Sequence, residues 1–347
     1  MSRLFVHGLG AVSPAGWGVP ALRAALQTNA PISTGPLTRP GWARPLQVRS
    51  VPPPIQRPAF LTHPRLRRSS AITQHTVGAA LEALGSDVTR VQSGELKLGI
   101  VVCLMTGCVM YSRRFYEEVL NDPAVASPLL FPETVFNAPG SHLAAYLNSN
   151  AISYTLVGDD SSFLQGLALA AGWLLNNQAD GCLVVGAEEA DWLVADAVRL
   201  FARRAVPAAG AGAIYLRRKE PATPAAELAR ITDAFAFGAS NSRAGAIKGV
   251  RAQLQPENAS ELLCLGTQGR QPCDADEENA WHDWPGTRFM PKQILGEAFA
   301  ASAAWQCVAA CEAVARGEFN AANISVVGAN QQAIGARFTR TANPSFK

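Results

Sequence analysis

The groups best suited to chemistry lie in one short run, Val157-Gly-Asp-Asp-Ser-Ser-Phe163. It sets Asp159, Asp160, Ser161 and Ser162 between an apolar strand-like segment and a very apolar helix-like one. A helix N-terminus offers free N–H groups and the positive end of the dipole, so negative charge is favoured there. The plainest role for Asp159 or Asp160 is therefore to cap that helix. Other chemical patterns fail on spacing. Gly8-x-Gly10 follows a strand, but Ser13 stands where a dinucleotide loop needs its third glycine, Pro14 follows at once, and no acidic residue lies about 20 positions on to hold a ribose. Ser161 and Ser162 lack the flanking glycines of a hydrolase nucleophile elbow. The seven cysteines (Cys103, Cys108, Cys182, Cys264, Cys273, Cys307 and Cys311) are odd in number and scattered, without paired C-x-x-C elements. They indicate neither a metal site nor a disulfide framework. Cys307 and Cys311, four apart on an apolar helix, read as small core side chains.

These side chains need a scaffold, and the patterning predicts one. Leu98 to Leu104, Ala151 to Val157, Cys182 to Gly186 and Ala213 to Leu216 read as apolar strands. Helices are expected at Val19 to Leu26, Ala71 to Leu84 behind Ser69 as N-cap, Tyr111 to Leu120 and about 162 to 175. Leu4 to Val6 reads as a short strand entering a glycine turn at Gly8 to Gly10. The many prolines between 31 and 68 require an extended surface loop. After a break at Lys219 to Pro224 the style repeats: strands at Leu228 to Ile231 and Leu262 to Leu265, an Ala-rich helix at Gly296 to Ala315, and a closing hairpin of Ile324 to Asn330 with Ala333 to Phe338. Strands apolar on both faces and bounded by helices imply an α/β sheet with mainly parallel pairing, here in two halves, 1–217 and 218–347.

Composition narrows the function classes. Of 347 residues, 48% are hydrophobic and 16% charged, which supports a sizeable core and excludes global disorder. The low charged fraction suggests that part of the surface is buried against another subunit. A net charge of +3 is too small to argue for nucleic acid or an anionic membrane. No apolar run approaches the roughly 20 residues of a membrane span. The N-terminal stretch, broken by His7 and glycines, offers no signal-peptide core, so a cytoplasmic protein is expected.

Several stretches in order carry a resemblance. Val6-His-Gly-Leu-Gly-Ala-Val-Ser-Pro-Ala-Gly16, Gly99-Ile-Val-Val-Cys-Leu-Met-Thr-Gly107, Asn137-Ala-Pro-Gly-Ser-His-Leu-Ala144, Gly181-Cys-Leu-Val-Val-Gly-Ala-Glu-Glu189 and Gly210-Ala-Gly-Ala-Ile-Tyr-Leu216 are similar to the β-ketoacyl synthase branch of the thiolase-like superfamily. The resemblance implies a five-layered α-β-α-β-α fold with two pseudo-equivalent halves, the second shortened. It carries the family's nucleophilic cysteine onto Asp160 and the first active-site histidine onto Gly266. In Lys292-Gln-Ile-Leu-Gly296-Glu297 it retains Lys292 but puts Glu297 where the second histidine stands.

A condensing enzyme needs a thiolate to store the acyl chain and neutral imidazoles to stabilise the charge left by decarboxylation. The resemblance therefore implies a catalytically degenerate subunit of chain-length-factor type, similar to the ketosynthase-like partner of aryl-polyene assembly. Such a subunit pairs with an active ketosynthase, meets acyl carrier protein through it, and uses no cofactor or metal. Tyr111 and Phe115 share a helix face after Gly107; they would close the end of the partner's acyl tunnel, or else be ordinary core or interface aromatics. Two other readings stay open: an acyl-thioester decarboxylase or hydrolase using Asp160 and Glu297 as an acid/base pair, and a homodimeric acyl-binding protein.

Overall fold

The computed structural model describes residues 3–201, 205–255, 260–268, 274–329 and 331–341. Among the described residues, ten of the fourteen strands form two five-stranded sheets that meet at their edges in one larger sheet. The first half supplies β1 (Phe5–Ser13), β2 (Leu98–Leu104), β3 (Ser153–Val157), β4 (Gly181–Glu188) and β5 (Gly210–Arg217). The second supplies β6 (Ala226–Ile231), β7 (Leu262–Cys264), β8 (Arg288–Phe289), β9 (Ala321–Val327) and β10 (Gln332–Arg340). The strand orders are β3-β2-β4-β5-β1 and β8-β7-β9-β10-β6. Each second-half strand thus repeats the place of the first-half strand five before it. Pairing directions repeat as well: β2 runs parallel to β3 and β4 as β7 does to β8 and β9, while the fifth strand of each half is antiparallel to its neighbours. One residue pair, Phe5 with Glu227, joins the two sheets. The pseudo-equivalent halves expected from the resemblance are present in this topology.

Between the sheets lie the two most apolar helices, α5 (Ser161–Leu175) and α10 (Phe299–Ala315). Helix α10 is buried almost all round, which fits a helix with protein on every side. Its Trp305 indole N–H is shared between the carbonyls of Val12, at 3.2 Å, and Ala211, at 3.0 Å. That bond locks a second-half helix onto first-half strands. Helices α2 (Ala71–Leu84) and α4 (Ala138–Tyr146) cover the outer face of the first sheet, and α7 (Arg243–Leu254) that of the second. Helix, sheet, helix, sheet, helix gives the five expected layers.

Several local expectations need correction. The glycine turn at Gly8 to Gly10 does not form, because β1 runs on through Ser13. The glycines instead let α2 press on the strand: a Cβ at Gly8 would lie 1.8 Å from the Ala83 carbonyl oxygen, and one at Gly10 1.9 Å from that of Ala79. The N-cap of α2 is Ser70 rather than Ser69, its hydroxyl accepting from the Thr73 N–H. The proline-rich stretch is not wholly irregular, since Gly35–Leu37 pairs with Leu46–Val48. Helix α10 begins at Phe299, three residues past Gly296, where the chain first finishes a short helix, α9 (Pro291–Leu295). Six cysteines are buried and free; Cys273 and Asn330 lie outside the described residues. Among the described residues no helix is long and apolar enough to cross a membrane.

Candidate functional site

Asp160 sits at the first corner of α5 with helical backbone angles, φ −49° and ψ −39°, and its side chain makes no capping bond. Asp159 takes that work. Its Oδ1 accepts from the Ser161 N–H at 3.0 Å and from the Ser161 hydroxyl at 2.5 Å. The turn between β9 and β10 presses against it, and a Cβ at Gly328 would fall 2.1 Å from Asp159 Oδ2. Of the two acids at the turn, one closes the helix and the other is left to point elsewhere.

Asp160 points at the second half. Lys292, on α9, directs its ammonium to Asp160 Oδ2 and also to Glu297 Oε2 at 3.0 Å. Gly296, at φ +97°, turns the chain between them. Glu297 is fixed on every side. Its Oε1 accepts from the Phe299 N–H at 2.9 Å, its Oε2 from the Gln268 side-chain amide, and its backbone bonds to Val206 and Ala208 at 2.8 Å. The three charged side chains are 4%, 4% and 7% exposed. Burial and the Glu297 carboxylate push the Asp160 carboxyl up to about 7, against the pull of the Lys292 ammonium. Burial works to lower the Lys292 pKa, but the two carboxylates outweigh it and hold the ammonium above its ordinary range. Two carboxylates facing one cation leave the site with room for one further proton.

The structure brings together Asp160, Lys292 and Glu297, and it leaves Gly266 out. The Gly266 N–H donates to Glu277 Oε1 at 3.4 Å, and a Cβ there would face Glu277, the Ser325 carbonyl and Gln306. The side chain from that loop that reaches the cluster is Gln268, two residues on, which sequence reasoning missed. It also missed the division of labour between Asp159 and Asp160, which depends on a hairpin some 170 residues away, where Gln332 donates to the Ser161 hydroxyl at 2.5 Å. No sequence signal marked either feature. Among the described residues no cysteine or histidine bonds to Asp160, Lys292 or Glu297. The cavity beside Lys292 and Glu297, lined also by Arg49, Gln268 and Gln293, holds about 60 Å³. Ligand pockets run to roughly 300–1,000 Å³, so an acyl chain does not fit.

Tyr111 and Phe115 lie elsewhere, on α3 (Val109–Asn121), both half-buried. The Tyr111 hydroxyl donates to the Arg68 carbonyl, and the Phe115 ring packs against Phe131 at 5.6 Å. Around them is an exposed apolar surface: Tyr116 and Leu120 on α3, then Val125, Leu129 and Phe131 in the following segment. Tyr154 and Val157, 51% and 57% exposed, lie on β3, which ends its sheet with one edge unpaired among the described residues. An apolar, unpaired edge favours pairing with another chain.

No protein-family model and no curated protein matches the sequence. Solved structures do match. The ishigamide ketosynthase/chain length factor is 16% identical, with TM-score 0.82 over 98% of this chain and 100% of that one. The AntDE:AntF structure, a type II PKS acyl-carrier protein in complex with its ketosynthase bound to the hexaketide, is 16% identical, with TM-score 0.79 over 97% and 99%. The ketosynthase ApeO in complex with its chain length factor ApeC, from Xenorhabdus doucetiae, is 11% identical, with TM-score 0.79 over 98% and 98%. The chain has the ketosynthase fold. The resemblance read from the motifs holds at this level over nearly the whole length. Asp160, which the motif resemblance matches to the nucleophile, is an acid tied to a lysine from the other half.

Proposed function

We propose that this chain is a non-condensing subunit of chain-length-factor type, paired with an active β-ketoacyl synthase in type II polyketide or fatty-acid-like biosynthesis, with aryl polyenes as the narrower assignment. The observation that carries this is Asp160, in the place matched to the nucleophile, held by Lys292 against Glu297. Acylation of Asp160 would give a mixed anhydride, which hydrolyses readily and is a poor acyl store, and the small cavity beside Lys292 and Glu297 admits no chain. The working site then belongs to the partner, which also receives the acyl carrier protein, in the cytoplasm.

Supporting the pairing are the exposed apolar surface of α3 and its following segment and the unpaired edge of β3. Two of the similar structures are, by their descriptions, a ketosynthase/chain length factor and a ketosynthase in complex with its chain length factor. The halves divide at 217/218, between β5 and β6. Tyr111 and Phe115 lie on the helix that borders the partner's tunnel. The decarboxylase or hydrolase reading is weaker, because Lys292 bonds both of the carboxylates it would use.

The test is co-expression with the ketosynthase of its own gene neighbourhood, followed by size-exclusion chromatography. A one-to-one complex that splits when Tyr154→Asp and Val157→Asp are introduced supports the reading. A chain that stays apart, or condenses malonyl- and acyl-thioesters by itself, overturns it.

A further inference from the structure

The ion cluster has the composition of a reaction as well as of a salt bridge. A primary amine and a carboxyl are in direct contact, a second carboxylate touches the amine, and all three are almost wholly buried. The amine and the carboxyl come from different halves, 132 residues apart. We propose that Lys292 and Asp160 condense to an isopeptide bond, with Glu297 moving the protons, so that the two halves become covalently stapled.

The step balances without a co-reactant. Asp160 enters as the carboxylic acid, Lys292 as the ammonium and Glu297 as the carboxylate. Glu297 takes a proton from Lys292, and the freed Nζ lone pair attacks Asp160 Cγ, forming the C–N bond. Glu297 returns its proton to the departing hydroxyl and takes one from the nitrogen. The C–O bond breaks, water leaves, and the products are a neutral amide and a protonated Glu297. Burial and the Glu297 carboxylate push Asp160 towards its protonated form, and with that proton in place only Glu297 still holds the Lys292 ammonium by charge.

Three features favour the forward direction. The charges removed are buried, where an ion pair is offset by its desolvation cost. The reacting groups are held in contact by the fold, which replaces an encounter by a unimolecular step. Gln268 and the Phe299 N–H hold the Glu297 carboxylate against the amine, and the adjoining small cavity gives the released water an exit.

The experiment is intact-mass spectrometry of the purified full chain, with a tryptic digest. The expected result is a mass one water below that of the sequence, with peptides 115–199 and 289–316 joined through an uncleaved Lys292. Lys292→Arg should restore the full mass, and Glu297→Gln should leave most of the protein uncrosslinked. Wild-type protein that is folded by circular dichroism yet keeps its full mass after prolonged incubation overturns the proposal. So does a water loss mapped to any other pair of residues. If Lys292→Arg fails to fold, the joined peptide in the wild type decides alone.

Discussion

The Tyr111 hydroxyl donates to the backbone carbonyl of Arg68, anchoring α3 to the loop that leads into α2. Phe115, one turn further on, packs its ring against Phe131 instead. The two aromatics that share a helix face therefore do different work.

Phe115→Ala is expected to leave the heterodimer intact and lengthen the product, by opening space at the end of the partner's tunnel. Tyr111→Phe should cost about 1 kcal/mol, the net worth of one hydrogen bond, and Tyr111→Ala should both loosen α3 and lengthen the product. Product length by mass spectrometry and assembly by chromatography separate the two effects. Unchanged products from Phe115→Ala would remove this residue from the tunnel.

Asp160→Cys alone should not produce a condensing enzyme. A thiolate placed there faces Lys292, but the resemblance puts Glu297 in the second histidine's place, where it would oppose an enolate, and Gly266 in the first's, where it brings no imidazole. Radiolabelled malonyl and acyl thioesters should yield no ketide above background. Measurable turnover would mean that imidazole donors come from positions not identified above.

Gly10→Ala should destabilise the fold by about 1–3 kcal/mol, the usual cost of overpacking. The new methyl group meets the Ala79 backbone carbonyl at 1.9 Å, so α2 must move away from β1. Gly85→Ala, which meets no atom within 4 Å but sits at φ +52°, tests backbone strain in the absence of a clash. Denaturant melts of both variants should show the larger loss at Gly10.

Stability should fall as pH rises from about 5 to above 8. Burial pushes Glu188 up to about 8, and Glu189 and Glu277 up to about 7, from an ordinary 4.5. The folded state therefore holds protons that the unfolded chain has released, and the stability this gives is lost as pH climbs through the folded values. Burial of His75, held down to about 4, acts oppositely, adding stability above 6.5 that is lost on acidification towards 4. The melting temperature should peak near neutrality's acid side, and Glu188→Gln should flatten the alkaline decline. A melting temperature that rises steadily to pH 9 would contradict this assignment.

Much of the architecture was legible because burial on both faces writes a continuous apolar run into a strand. Leu98 to Leu104 was read to the residue, and the helices at 71–84 and 161–175 to within one residue. The same rule misread Gly8 and Gly10 as a turn. Glycine marks close backbone approach as well as reversal, and only α2 lying on β1 distinguishes the two.

The residue types at the site were legible beforehand: an acid at the turn into α5, a lysine in the second half, and a glutamate five residues after it. Their meeting was not. Asp160 reaches Lys292 across 132 residues only because both sheets clamp α5 and α10 between them. Gln268 rather than Gly266 faces Glu297 because Gly266 turns towards Glu277. Periodicity records which face of an element is buried, since burial is a property of each residue. Which buried charge meets which is a property of the assembled halves, and the tertiary structure alone decided it.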